Sequence, residues 1–136
     1  MIRPVTVTEE VSEMNAPEAN VNIYLANDAI KTEGEINSGL NTFAIHFKEH
    51  PEAGVGNDLH LIKMKPDTDL DVVLQWMDWT NILGLEPPAP AEFLGGSQEM
   101  PVGNTSYFTI NLEQGKYAFV SEAVMRKGNL LEFDID

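Results

Sequence analysis

The chain has no cysteine. That removes disulfides, a thiol nucleophile and any thiolate metal ligand from consideration. It also lacks an apolar run approaching the roughly 20 residues that a membrane-spanning helix needs. Cations are scarce: 8 Lys and Arg stand against 22 Asp and Glu, for a net charge of -14. Nucleic acid and anionic membrane surfaces call for a basic patch that releases counterions, so the charge argues against both as partners. Solubility accounts for an acidic surface of this kind, and a face for cations or for a basic partner is the functional alternative. The acidic pairs and triplets, Glu9-Glu10, Asp67/Asp69/Asp71 and Glu132/Asp134/Asp136, do not have the spacing of a calcium loop. Gly95-Gly96 alone is no phosphate-binding loop, and Ser121 has no flanking elbow glycines to present it as a nucleophile. No charged segment followed by an apolar core marks a signal peptide, since Met1-Ile2-Arg3-Pro4 lacks one.

What is present reads as strands. The 136 residues have the length of one domain, and we expect a single domain over 1–136. Apolar and polar residues alternate in Pro4 to Val11, Val21 to Ala26, Asn41 to Phe47, Leu59 to Lys65, Thr105 to Asn111, Lys116 to Glu122 and Leu130 to Ile135. Asn27 to Gly39 reads as turn-rich, with Ile30 and Ile36 as isolated anchors, and Phe93-Leu94-Gly95-Gly96 is followed by a loop to Asn104. One helix is expected over Asp69 to Trp79, because Leu70, Val73, Leu74 and Met77 fall at i, i+3, i+4, i+7. Thr68 is its expected cap, and Asp69 and Asp71 suit the positive end of its dipole. The stripe cannot take in both Trp76 and Trp79, so one indole should border solvent or the stiff Pro87-Pro88 stretch. About eight short strands with one helical insertion define an all-β class, a β-sandwich rather than α/β.

The end of the chain is the most specific part. Leu112-x-x-Gly115-x-Tyr117 has the form of a tyrosine corner, in which the Tyr hydroxyl reaches back to upstream backbone. This device belongs to Greek-key β-sandwiches, and it predicts a buried Tyr117 bonded to a carbonyl.

From about Val21 onward the chain resembles the cupredoxin (blue-copper) family. The resemblance is carried by Ser38-Gly39 through Phe47, the strand His60 to Lys65, the short helix, the Pro-rich stretch ending in Gly95-Gly96, and the paired strands Ser106 to Asn111 and Lys116 to Ser121. It implies a Greek-key sandwich of the cupredoxin-like type. The family's copper is held by two His, one Cys and often a weak axial Met. On this resemblance His60 takes the place of the first His and Ser121 that of the Cys. Val124 and Met125 stand where the second His is due, and Asn129 where the Met is due. A serine hydroxyl stays protonated near neutral pH and is a poor soft-metal ligand, so we expect no blue-copper centre.

The other imidazoles, His46 and His50, are read as a strand-surface and a loop residue, because i, i+4 spacing on a strand does not bring side chains together. The expected function is a non-enzymatic binding or interaction domain of an exported bacterial protein, periplasmic or extracellular, its leader removed. We expect no catalytic residues and no cofactor, and an unknown protein or small ligand as partner. The alternative is a copper carrier or sensor using His60 with a thioether from Met64, Met100 or Met125. A hydrolase with acidic catalytic residues ranks third.

Overall fold

The computed structural model describes residues 15–27, 29–50, 57–121 and 130–136. Among the described residues, eight strands stack as two four-stranded sheets, with one short helix on an outer face. The strands are β1 (Val21–Leu25), β2 (Ile30–Glu33), β3 (Gly39–Phe47), β4 (Leu59–Met64), β5 (Glu92–Ser97), β6 (Thr105–Leu112), β7 (Gly115–Val120) and β8 (Leu130–Ile135). The first sheet runs β2-β1-β3-β6 and the second β5-β4-β7-β8. The chain therefore changes sheet three times, after β3, after β5 and after β6. Within the first sheet β1 pairs with β3 in parallel, and all other pairings are antiparallel.

Alternation along each strand sends one set of side chains between the sheets. Val21, Ile23 and Leu25 of β1, Phe43, Ile45 and Phe47 of β3, Leu59 and Leu61 of β4, and Tyr117 and Phe119 of β7 form the main core. Phe43 stacks on Phe108 at 4.8 Å and meets the edge of Phe119 at 5.5 Å, so aromatic rings span the two sheets. The strand expected over Pro4 to Val11 lies outside the described residues.

The helix α1 (Leu70–Trp76) is shorter than the expected Asp69 to Trp79. Its cap is Asp69, whose carboxylate accepts the Asp71 amide at 2.9 Å, and not Thr68. The Thr68 hydroxyl is used in the preceding turn, where it accepts the Lys65 amide at 2.8 Å. The expected stripe does face inward. Val73 and Met77 are buried and Leu70 and Leu74 partly so, against Ile62, Ala118 and Val120. These last three project from the outer face of the second sheet. The helix thus covers a second, smaller core, and β4 and β7 are apolar on both faces because both faces are covered.

Two elements differ from the sequence reading. Ile30 to Glu33 pairs with β1 as an edge strand, although only Ile30 is buried in it. Glu92 to Ser97 is also a strand, paired with β4 across a register shift at Leu61/Ile62. Gly96 is needed there: it has φ +152°, and a Cβ on it would overlap the Leu59 carbonyl oxygen. The close approach sets β5 directly beside His60. The tyrosine corner forms as expected. Tyr117 is 1% exposed and its hydroxyl donates to the Glu113 carbonyl at 2.8 Å. Among the described residues no helix is long and apolar enough to cross a membrane.

Candidate functional site

The start of β4 and the end of β7 lie side by side, with His60 opposite Val120 in the ladder. This register brings together Asp58, just before β4, and Ser121, just after β7. The Ser121 hydroxyl donates to Asp58 Oδ1 at 2.8 Å, and both residues are buried. His60 Nε2 lies 2.9 Å from Asp58 Oδ2. One carboxylate, 8% exposed, therefore holds a hydroxyl on one oxygen and an imidazole on the other. Burying a carboxylate without partners is costly, and charge-assisted hydrogen bonds offset that cost.

Sequence reasoning singled out His60 and Ser121 but not Asp58, the residue that joins them. A signal was available: Asp58 and His60 are two apart at a strand start, and on a strand that spacing puts both on one side. The neighbouring Asn57 is also buried. Its amide donates to the Glu49 carbonyl at 3.1 Å and to Asn27 Oδ1 at 3.4 Å, while its Oδ1 has no hydrogen-bond partner among the described residues.

Of the expected thioether ligands, Met64 and Met100 are among the described residues. Met64 lies four residues further along the same strand, about 13 Å away at roughly 3.3 Å per residue, and packs into the helix-covered core. Met100 packs against the main core. Val124, Met125 and Asn129 lie outside the described residues. Among the described residues no group of three or more His, Asp or Glu side chains is placed to hold a metal ion. The donors at this end are a carboxylate, a hydroxyl and an imidazole. That is a hard set without sulfur, so the described residues do not fit a blue-copper ion.

His60 also connects this end to α1. Its ring meets the edge of Phe93 at 5.8 Å, Phe93 packs against Trp76 at 5.5 Å, and the Trp76 indole N–H donates to the Glu86 carbonyl at 2.6 Å. Trp76 is thus the indole that packs toward the Pro-rich segment, and Trp79 the one facing solvent.

His46 lies on the outer face of the first sheet, as the sequence suggested, but it is not a free surface residue. Its ring nitrogens bond Thr105 Oγ1 at 3.0 Å and Asn22 Oδ1 at 2.9 Å, and it stacks on Tyr24 at 4.9 Å. Burial, with a contribution from the Lys48 charge, pulls its pKa below the ordinary histidine value. Tyr24 donates to Glu33 Oε2 at 2.8 Å, and this hydrogen bond to a carboxylate raises the phenol pKa. His50 is exposed and contributes only its carbonyl, which accepts from Asn27.

Two four-stranded sheets, closed by a tyrosine corner and carrying one helix on the outer face, make this a cupredoxin-like β-sandwich. Solved structures that it resembles include two auracyanins, which are cupredoxins. Auracyanin B superposes with a TM-score of 0.57 at 14% identity, over 90% of this chain and 92% of that one. The dithionite-reduced auracyanin of the photosynthetic bacterium Roseiflexus castenholzii gives 0.55 at 13% identity, over 85% and 94%. Identity this low carries the fold and nothing finer. No protein-family model matches the chain, and no curated protein sequence does.

Proposed function

We propose that residues 1–136 form a single cupredoxin-like domain of an exported protein, acting as a non-enzymatic binding or interaction module without a blue-copper centre. The observation that supports this reading is the Asp58 carboxylate between His60 and Ser121. The two residues that the family resemblance assigns to copper are closed onto a third side chain instead. The same arrangement speaks against Ser121 as a nucleophile. A nucleophilic serine needs an imidazole next to its hydroxyl with the carboxylate behind it. In this chain the carboxylate is in the middle, and it receives the Ser121 proton side as a plain acceptor. The exported location rests on the family resemblance.

Metal titration tests the reading. Addition of Cu(II) should produce no intense copper–thiolate band in the visible spectrum, since the chain has no thiolate. A competition titration with Cu(I) should show no tight site. Tight Cu(I) binding that disappears in His60→Ala would overturn the proposal in favour of a copper carrier using His60 and Met125.

A further inference from the structure

The turn after α1 inverts the usual placement of polar and apolar groups. Its polar atoms are bonded to one another. The Asp78 carboxylate accepts the Thr80 amide at 3.0 Å and hydroxyl at 2.6 Å, and Asn81 Oδ1 accepts the Leu83 amide at 3.0 Å. Backbone bonds run from Asn81 to Asp78 (3.1 Å), Gly84 to Asn81 (2.8 Å) and Leu85 to Trp76 (2.7 Å). Gly84 fits because a Cβ there would overlap the Asp78 carbonyl oxygen. Leu85 is held at φ +60°, a left-handed conformation that a leucine adopts only under constraint.

This frame points its apolar side chains outward. Trp79 is 53% exposed, Ile82 97%, Leu83 68% and Leu85 44%. With Val72 on α1, five of the eight large hydrophobics exposed among the described residues fall between 72 and 85. Single exposed apolar residues need no explanation, but a cluster on a fixed frame does. The charge along this part of the chain is one-sided. From Pro66 to Gly115 the sequence has no Lys, Arg or His, while Asp69, Asp71, Asp78 and Glu86 stand on the helix and turn.

An apolar centre flanked by carboxylates on its own helix and turn is complementary to an apolar centre ringed by Lys and Arg. A second copy would set the same carboxylates against each other, which is unfavourable. An anionic membrane is repelled, and a zwitterionic one offers no charge to match. We propose that the 78–86 turn with α1 is the docking surface of this domain for a basic protein partner, with Trp79, Ile82 and Leu83 as its apolar anchors. The internal bonding fixes the backbone that carries the anchors before contact, so little backbone ordering cost is left for binding. The inference rests on the interaction-domain reading and supplies its surface and partner chemistry.

The test uses the intact protein and a 14-residue amphipathic Leu/Lys peptide as the basic partner. Binding is followed by calorimetry and by tryptophan emission, since Trp79 lies in the turn and Trp76 at the end of α1 beside it. The peptide should bind and shift the emission to the blue, and salt raised from about 50 to about 300 mM should weaken binding. The double variant Ile82→Ser/Leu83→Ser should lose about tenfold or more in affinity with an unchanged urea midpoint. The control Leu40→Ser/Val102→Ser, which alters exposed apolar residues elsewhere, should bind as the parent does. The proposal is overturned by equal affinity in the turn variant, by no binding, or by equal binding of a Lys/Ser peptide of the same charge. Stronger partition onto phosphatidylcholine vesicles would assign the turn to lipid. Sedimentation showing self-association that the variant abolishes would assign it to a second copy. The copper titrations are read on the same samples, so failure of the interaction-domain reading is seen apart from failure of the docking surface.

Discussion

At the end of the sandwich a carboxylate is buried, with Ser121 and His60 on its two oxygens; on the turn after α1, Ile82 and Leu83 stand in water over a frame of hydrogen bonds. Each region departs from the rule that apolar groups go inside and polar groups outside, and such departures are the informative ones. They differ in where their complement lies. The Asp58 group finds its partners within the chain, so its contribution is to the stability and geometry of the fold. The turn satisfies its polar atoms internally but leaves its apolar surface uncovered, so that surface gives nothing to folding. Burial energy not used in folding remains for binding.

Substitutions on and near α1 give the sharpest contrast. Met77→Ala removes a buried side chain and should cost about 2–5 kcal/mol, whereas Ile82→Ser should stay within about 0.5 kcal/mol of the parent. Urea denaturation midpoints check both, and a large loss in Ile82→Ser would show that the turn is packed after all. Leu74→Ala should fall below Met77→Ala, since Leu74 is only partly buried. At the sandwich end, Asp58→Ala takes the acceptor from the buried Ser121 hydroxyl and should cost roughly 1–3 kcal/mol. Ser121→Ala should cost less, because His60 keeps its bond to the carboxylate. If Asp58→Ala is neutral, the carboxylate does not hold this end together.

Tyr117→Phe leaves the Glu113 carbonyl without its donor at the corner and should cost about 1 kcal/mol. An unchanged midpoint would reduce the corner to packing.

The smallest effect is one of pH. The His46 pKa in the folded protein lies below the ordinary value of 6.5. As pH falls below about 6.5 the unfolded chain takes up the proton first. This contribution to stability is therefore complete above that pH and declines through the window just beneath it. Melting curves of His46→Gln should lack this part of the slope. An identical pH profile in the variant would place the effect elsewhere.

Much of the architecture was legible. Leu112, Gly115 and Tyr117 marked the corner because the device is local: the hydroxyl reaches a carbonyl four residues back. The stripe Leu70, Val73, Leu74, Met77 marked the buried face of α1 because helical period alone decides which side chains share a face. β2 was not legible, since a four-residue edge strand with a single buried position carries no alternation to read. β5 was masked by Gly95-Gly96, which reads as a loop until the neighbouring Leu59 backbone shows why no side chain fits. Thr68 and Asp69 are both competent caps, and only the path of the turn before α1 chose between them.

By itself the sequence determined the alternating strands, the corner, the apolar stripe and the lack of any thiolate, because each depends on residue type or on neighbours a few positions away. The tertiary structure decided that Asp58, 63 residues from Ser121, is the residue that meets it, and that His60 shares the carboxylate. It also decided which apolar residues near α1 are buried and which are left in water. Such contacts depend on the register of β4 against β7 and on the path of a turn. A slip of one residue would send each side chain to the opposite face, and nothing local in the sequence records that choice.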